Sequence, residues 1–463
     1  MLGILLMGWA FVLFVNKRYQ LSLLLFFGMV TNGYQIIPAS VLMAGAPVEK
    51  TADVGLLYVL GILVYRYRAF NQLIRSERFF GWAVMFVLFV GLNAVYSYRV
   101  LGYDLTGIIR VFRNHLYLLS FGVFITVPVP VINRVMHLLA IITLVQCGLY
   151  LAQIPTGLTL LQTGQAGSEV TIHDASETGL IRFYNQPIYL TPVLFYYLFQ
   201  YRCRSWVMHA VVVGLLGLTV LAPLHRTHII TTALVASLYV LFRQARSQRT
   251  VYIALMLVVG YGVSSIDVVS NRLEKGIADF GSTFRPGKSL VTTDTGDNTF
   301  AFRMAHLFER VNYVVRTPGR CVFGVGLLAE DTPQARQLPF EVGSYDQRTG
   351  EIAQINTADI AWSLLVLQLG FAGTLLYSIV LGQLVRLFYR HRAAPLSAVG
   401  LLTTVTALLI SFAGIEILTV PFRTLAVLLA VAVIKAPHLA GSPAPRFNPA
   451  AGLRPEPPVS LLS

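Results

Sequence analysis

The chain has 463 residues, of which 56% are hydrophobic and only 12% are charged, and its mean hydropathy is +0.67. Soluble globular domains carry about 25% charged residues, so this composition excludes an ordinary soluble domain and indicates an integral membrane protein. The net charge of +14 would favour nucleic-acid binding in a soluble protein. Here the basic residues lie in short loops between apolar runs, where they set orientation instead, and no nucleic-acid partner is expected.

Apolar runs, taken in chain order, predict about thirteen transmembrane helices, because a span needs about 20 apolar residues and somewhat fewer when flanking side chains reach the interface. The predicted spans are residues 2–15, 21–44, 52–65, 79–96, 116–129, 135–154, 187–199, 206–221, 229–242, 252–266, 358–384, 396–413 and 418–434. Residues 2–15 lack a charged lead and a cleavable small-residue site, which predicts a retained span and not a signal peptide. Three short runs, 2–15, 52–65 and 116–129, have a re-entrant or interfacial helix as the alternative. The expected fold is all-α and polytopic, with about 12–13 spans within residues 1–436.

Basic residues alternate along the loops and predict the orientation. Six loops together hold fifteen Lys or Arg residues against one acid, Glu77. They carry Lys17 and Arg18; Arg66, Arg68, Arg75 and Arg78; Arg134; Arg202 and Arg204; Arg243, Arg246 and Arg249; and Arg386, Arg390 and Arg392. By the positive-inside rule these loops face the cytoplasm. The opposite, extracytoplasmic face then receives segments 44–52, 98–115, 155–186, 224–228 and 267–357 and the turn near Glu416.

One hydrophilic segment, residues 267–357, interrupts the apolar chain and is expected to form a large periplasmic loop, called the island below. Within it, residues 299–316 have apolar side chains at helical spacing and end at Pro318 and Gly319, which predicts an amphipathic helix lying along the membrane face. Gly324-Val-Gly326 predicts a tight turn, and no strand pattern is strong enough to predict a soluble domain. The Pro-rich residues 437–463 predict a disordered cytoplasmic tail. Three cysteines without metal-ligand spacing imply neither a disulfide framework nor a zinc site.

Three polar patches at the extracytoplasmic span ends are candidate sites. The first, LIRFYNQPIYLTP, holds Arg182 and Asn185; the second, LAPLHRTHII, places Arg226 between His225 and His228. The third combines Arg303 and His306, on the amphipathic helix, with Asn356, Thr357 and Asp359 at the start of a span. Charges at a span end are costly unless they meet an anion or a partner.

These patches resemble the O-antigen ligase and polymerase family of bacterial inner-membrane proteins. The similar pieces, in order, are Arg-Phe-x-Asn-x-Pro at 182–187, an arginine opening a span at Arg226, an arginine-bearing helix leading to Thr-Pro and Gly-Val-Gly at 303–326, and a polar span start running to Gly370 and Gly373. The resemblance implies metal-independent glycosyl transfer, without a cofactor, from an undecaprenyl-diphosphate-linked glycan at the periplasmic face. It implies a glycan or lipid acceptor and a possible chain-length regulator as partners, besides the membrane lipids.

The residue types suit that chemistry. A glycosyl diphosphate already has a good leaving group, so the protein must bind the negative charge that develops on the diphosphate and orient an attacking hydroxyl. The arginine guanidinium is permanently charged and forks onto phosphate oxygens, so Arg226 and Arg303 are the predicted catalytic cations. Asp359 is the predicted base, with His225, His228 and His306 as rivals. The substrate-binding candidates are Arg182, Asn185, His228, His306 and Asn356.

Structural roles compete with each functional one. Arg182 and Arg226 alternatively anchor span ends at lipid headgroups, and Arg303 alternatively pairs with Glu309 or Asp297. Asp359 alternatively caps its helix or pairs with a structural arginine. The three histidines, and Arg110, Arg113 and His115, are more simply interfacial polar residues.

Three functions remain open from the sequence. Ligases of the family carry a His-Asn pair where this chain has Asp359-Ile360, which favours a repeat-unit polymerase of a surface polysaccharide or exopolysaccharide over a ligase that moves the glycan to a lipid A core or protein. A transporter of lipid-linked oligosaccharide is the alternative from another class, but transporters tend to show internal repeats and paired broken helices, which this sequence does not suggest.

Overall fold

The computed structural model describes residues 1–45, 50–68, 77–162, 173–175, 180–243, 299–343, 345–346, 351–355, 357 and 359–436. In these ranges the chain is overwhelmingly helical, which confirms the helical class. The strand residues described there form only two short antiparallel pairs, His173–Ala175 (β1) with Leu180–Arg182 (β2) and Tyr345–Asp346 (β3) with Glu351–Ile352 (β4). The second pair lies in the island, where no strand was predicted.

The first half of the described chain contains eleven labelled α-helices. They are α1 (Leu2–Val15), α2 (Tyr19–Val30), α3 (Ala39–Met43), α4 (Thr51–Tyr65), α5 (Arg78–Arg99), α6 (Leu105–Leu116), α7 (Phe121–Phe124), α8 (Val129–Thr156), α9 (Leu190–Phe195), α10 (Trp206–Leu221) and α11 (Arg226–Arg243). Short 3-10 turns at Gly33–Gln35 and Tyr117–Ser120 and a π-helical turn at Tyr196–Gln200 join some of them.

The second half begins at the island helix and ends with the long helix α15 and two shorter ones, α16 and α17. The elements are α12 (Thr299–Val315), α13 (Pro318–Phe323), α14 (Pro333–Arg336), α15 (Ala361–Arg390), α16 (Ser397–Ile410), a 3-10 turn at Glu416–Leu418 and α17 (Val420–Lys435). The predicted amphipathic helix is therefore confirmed as α12. The predicted span 252–266 and the tail 437–463 lie outside the described residues.

Three of the described helices, α5, α8 and α15, are long and apolar enough to cross a membrane, and six shorter apolar helices accompany them. The shorter six are α1, α2, α4, α10, α11 and α16. A helix of 14 residues, such as α1, is only about 21 Å long, against a hydrocarbon core of about 30 Å. Membrane association is thus indicated, and the count of thirteen spans stays a prediction.

The predicted span 21–44 is wrong, because α2 ends at Val30 and a left-handed turn follows. Asn32, Gly33, Tyr34 and Gln35 all have positive φ, between 50° and 64°. The helix ends here because of hydrogen bonds made by a buried side chain. The Gln35 carboxamide donates to the Gln186 carbonyl at 3.0 Å and accepts from the Ile188 amide at 2.9 Å. A buried amide needs such partners, and an uninterrupted helix would not present it to them.

The predicted span 116–129 and the predicted loop at Arg134 are also wrong. The chain is helical from α6 through the 3-10 turn to α7, so this helical segment starts eleven residues earlier, at Leu105. It turns at Pro128, the N-cap of α8, and Arg134 lies inside α8. Pro130 is tolerated there because the first turn of a helix has no amide partner to lose. The predicted span 187–199 is shorter than expected, since α9 and its π-helical turn begin only at Leu190.

The ion pairs that join distant segments of the described chain lie at two opposite ends of the helix bundle. At one end, the island end, Arg110 pairs with Asp331 and Arg113 with Asp53. At the other, the basic end, Glu77 meets Arg390 at 3.8 Å and His391 at 3.7 Å, and Lys435 Nζ donates to the Val127 carbonyl at 2.7 Å. The Arg110–Asp331 and Glu77–Arg390 contacts each join two segments that the basic-residue pattern assigns to the same face, so these contacts agree with the alternation.

The island folds onto the bundle through α15. This helix is broken at Gly370, whose φ of 63° and ψ of −171° are not helical. The Gly324 turn fits into the break, where the Val325 amide donates to the Leu367 carbonyl at 2.7 Å. Asn93 of α5 donates to both Phe323 O (3.0 Å) and Gln368 O (3.1 Å), so one side chain holds island and helix together.

Candidate functional site

The centre of the candidate site is the meeting of α12 with the start of α15. Arg303 and His306 lie three residues apart on α12 and so share one side of that helix, while Asp359 lies two residues before α15 and Ser363 lies in its first turn. Apolar residues of α12, among them Ala305 and Val314, are buried and dock the helix. The two polar pairs are therefore held face to face by apolar packing beneath them.

Arg303 and Asp359 form an ion pair. Arg303 Nη2 donates to Asp359 Oδ1 at 3.5 Å, and the two side chains are 13% and 35% exposed. The Arg303 Nε atom is buried and has no hydrogen-bond partner among the described residues. The pair is long for a charge-assisted hydrogen bond, and the guanidinium keeps donors free for a further acceptor.

His306 lies one turn along α12 from Arg303, with 2% of its surface exposed. Its Nδ1 and the Ser363 hydroxyl are 2.8 Å apart, while its Nε2 is buried without a partner in the described part of the chain. Burial lowers the pKa of His306 to about 3, and the positive charge of Arg310 contributes to the shift. The imidazole is therefore neutral at physiological pH.

The second predicted arginine patch lies beside this centre. Burial lowers the pKa of His225, Arg303 lowers it further and Asp359 raises it, so His225 lies within electrostatic range of both members of the ion pair. Arg226 follows directly as the first residue of α11, in a turn where Leu224 has a φ of 54°. His228, three residues after His225, contacts the Thr191 hydroxyl at 2.7 Å through its Nε2 atom. The structure thus brings the second and third patches together.

Glu416 is a fourth charged residue of this region that the sequence analysis did not select. It lies on the 3-10 turn between α16 and α17, and burial raises the pKa of its carboxyl group while Arg303 lowers it. Its Oε2 atom is buried with no partner among the described residues. The sequence contains a feature that could have identified this residue: Glu416 is the only acid between Asp359 and Glu456, and it interrupts an apolar stretch.

The first patch meets the second at Thr191, but its candidate Asn185 belongs to a different polar cluster. Asn185 is 3% exposed, and its carboxamide accepts from Gln153 Nε2 at 2.7 Å and donates to the Leu161 carbonyl. It belongs to a buried amide cluster with Gln153 and Gln35 that links α8 to neighbouring loops. Arg182 lies on β2, with its backbone opposite His173. Asn356 lies outside the described residues, and the substrate-binding roles of these three stay predictions.

Several structural alternatives can now be compared with the contacts. Asp359 is not the helix cap, since Ile360 occupies the N-cap of α15 and no side chain caps it. Glu309 pairs with the fully buried Arg310 rather than with Arg303, and Arg310 also donates to the Val342 carbonyl. Arg110 and Arg113 are held by Asp331 and Asp53. These three arginines therefore have structural roles, whereas the one described ion pair of Arg303, with Asp359, is long at 3.5 Å.

The arrangement combines fixed positive charge with carboxylates at the island end of the bundle. Such a site can bind an anionic group at the arginines and accept a proton at a carboxylate beside it. A scan against protein-family models finds no match to this chain, and a search of curated proteins finds no significant match. Its function is therefore inferred from the site's own residues.

Proposed function

We propose that the protein is a glycosyltransferase that joins lipid-linked oligosaccharide units at the outer face of a bacterial inner membrane, in a polytopic bundle of about 12–13 spans. The observation that carries the proposal is the convergence of Arg303, Asp359 and the His225–Arg226 turn from three distant segments. These charges are only partly exposed at the end of the bundle, and the one described ion pair of Arg303 is long at 3.5 Å, which supports an anionic ligand over simple anchoring.

In the proposed reaction Arg303 and Arg226 bind the diphosphate of an undecaprenyl-diphosphate-linked glycan. A hydroxyl oxygen of the acceptor sugar attacks the anomeric carbon, and the bond from that carbon to the phosphate oxygen breaks. The electron pair leaves on the diphosphate, where the guanidinium groups stabilise it, and the hydroxyl proton passes to Asp359. A single displacement inverts the configuration at the anomeric carbon.

The Arg303–Asp359 pair gives this reaction an order of events. Without substrate each group neutralises the other at 3.5 Å. When Arg303 turns to the diphosphate, it leaves Asp359 free to accept a proton. Donor binding thereby activates the base, and the charge cluster avoids an unpaired carboxylate in the empty site.

A transporter remains the second candidate because one observation favours it. The long helix α15 is broken at Gly370, and broken helices mark binding sites in many transporters. In this protein the break is filled, since the Gly324 turn and the Asn93 carboxamide occupy its free backbone groups. The arginine cluster lies at the bundle end instead, which supports the enzyme.

One assay separates the candidates. Purified protein in detergent is supplied with lipid-linked oligosaccharide, with no gradient and no nucleotide, and the products are analysed by mass spectrometry. A polymerase makes longer lipid-linked glycan, a ligase moves glycan only to an added lipid A core or protein acceptor, and a transporter makes no new bond. In cells, deletion should leave single repeat units on the lipid if the protein is a polymerase; unchanged polymer length would contradict that function.

A further inference from the structure

Two buried polar atoms with opposite hydrogen-bonding character, which lie near the proposed site, have no hydrogen-bond partner among the described residues. Trp362 Nε1 can only donate and Glu416 Oε2, when ionised, can only accept, and neither has a partner among the described residues. Buried polar groups in proteins are almost always hydrogen-bonded. A ligand that offers both donors and acceptors would satisfy them together.

The backbone holds the segments of these two residues against each other. The Ala361 amide donates to both the Ser411 carbonyl (3.1 Å) and the Gly414 carbonyl (2.9 Å). This bifurcated bond clamps the start of α15, which carries Trp362, to the turn that carries Glu416. The clamp is two residues from Asp359, and Glu416 lies within electrostatic range of Arg303, so the location borders the ion pair.

The apolar part of this location is aromatic. The Trp362 ring lies 5.8 Å from the Phe412 ring, at an angle of 38°, and Phe412 is 50% exposed. Gly414 leaves room for the carboxylate, because a Cβ atom there would lie 2.4 Å from Glu416 Oε2. Aromatic faces, an indole N–H and a carboxylate match a pyranose, which has apolar C–H faces and a rim of hydroxyl groups.

We infer that Trp362, Phe412 and Glu416 form a sugar-binding subsite that holds the acceptor sugar beside Arg303 and Asp359. Sugar hydroxyls donate to Glu416, a sugar oxygen accepts from Trp362 Nε1, and one face of the ring packs on the aromatic pair. The assignment of the sugar as the acceptor rests on the proposed glycosyl transfer, since the donor's diphosphate would occupy the arginine side of the site.

The test measures binding at Trp362 without requiring turnover. A protein with Trp9→Phe, Trp82→Phe and Trp206→Phe keeps Trp362 as its one tryptophan, because the chain has four. Its fluorescence is titrated with soluble oligosaccharides released by mild acid from the host's membrane glycans. We expect a saturable change whose midpoint rises about tenfold or more in Glu416→Gln, since a hydrogen bond to a charged group is lost.

Two further proteins complete the design. Gly414→Ala displaces the Glu416 carboxylate without removing it and should weaken binding similarly, which keeps the test decisive if Glu416→Gln does not fold. A matched protein that retains only Trp206, which is 81% exposed at the start of α10, should show no saturable change. The subsite is overturned if Trp362 gives no saturable signal. It is also overturned if Glu416→Gln and Gly414→Ala both bind the oligosaccharide as tightly as the protein without these substitutions.

Failure of the subsite and failure of the proposed function give different results. Glycosidic bonds formed by a protein whose Trp362 does not respond would retain the transferase and remove the subsite. A response that depends on Glu416, in a protein that forms no bonds from lipid-linked glycan, would establish the sugar site and remove the transferase.

Discussion

Arg303, which is partly buried, differs from the buried Arg310 and Arg423 in how well its guanidinium group is hydrogen-bonded. Arg310 is bound by Glu309 and the Val342 carbonyl, and Arg423 donates to Tyr377 and to the Asn114 carbonyl. Among the described residues, the one hydrogen bond of the Arg303 side chain is the 3.5 Å contact to Asp359, and its Nε, like that of Arg310, is buried without a partner there. A guanidinium group with so weak a hydrogen bond can bind a second acceptor. A phosphate group suits it, because two phosphate oxygens can accept two parallel N–H bonds from one guanidinium.

Arg303→Lys and Arg226→Lys should each lower glycosyl transfer by on the order of 100-fold, since lysine provides a point charge and cannot form the two parallel bonds to phosphate. Initial rates of product formation at equal protein concentration measure the effect. Arg110→Lys, at the same end of the bundle but paired with Asp331, is the matched control and should remain near wild type. Near-normal rates in both test variants would show that these arginines only anchor the bundle.

Asp359→Asn should retain folding and donor binding but lose turnover, because the amide preserves the shape of the carboxylate and cannot accept a proton. Rates and donor affinity, measured separately, distinguish this loss from a binding defect. The exposed Asp331→Asn serves as control. Full activity of Asp359→Asn would return the role of base to His225, His228 or His306.

The buried His306 should make the folded protein less stable in acid. Its pKa is about 3 in the folded state and about 6.5 when unfolded, so between these values the unfolded chain binds more protons and stability falls as the pH falls. From pH 7 to pH 5 the expected loss is about 2 kcal/mol. Thermal unfolding in detergent should show a smaller decrease over that range in His306→Gln; an identical decrease would contradict the assignment.

At the scale of elements, the break in α15 is where the island joins the bundle. Gly370 has a backbone conformation that is essentially confined to glycine, and a Cβ there would lie 2.5 Å from the Val322 carbonyl oxygen. A Cβ on Gly324 would lie 2.2 Å from the Leu367 carbonyl oxygen. Two chain segments thus approach with backbone against backbone, which only glycine permits.

Gly370→Ala should therefore lower the free energy of unfolding by at least about 2 kcal/mol, through strain and overlap together. Gly382 lies on the same helix with open space around its Cβ position and is the matched control. Gly382→Ala should be neutral or stabilising by up to about 1 kcal/mol. The thermal midpoints of the two variants in detergent provide the comparison, and equal midpoints would show that the close approach is not needed.

At the scale of the whole molecule, contacts divide the helix bundle into an island end and a basic end. The division matters for function because the candidate site lies wholly at the island end. By the positive-inside rule this end faces away from the cytoplasm and its nucleotides. A lipid-linked donor would then meet the site from the outer leaflet. The orientation is open to direct measurement.

Cysteine labelling in intact cells should distinguish the two ends. In a Cys203→Ser and Cys321→Ser background, Asp331→Cys at the island end should react with a membrane-impermeant maleimide added outside. Arg392→Cys at the basic end should react only after the membrane is made permeable. Both positions are exposed, so access and not burial decides the outcome. The reverse pattern would invert the orientation and remove the periplasmic site.

The sequence by itself determined the class of protein, the island helix α12, the Gly324 turn and the need of Asp359 for a cationic partner. These follow from composition, apolar periodicity and the cost of charge at a span end, which are local properties. Only the tertiary structure decided where helix ends fall near Gln35 and Pro128, which partners Asn185 takes, and that Glu416 and Trp362 border the ion pair. Those outcomes depend on hydrogen bonds between segments far apart in the chain, because a buried polar group takes whichever partner the packing brings to it.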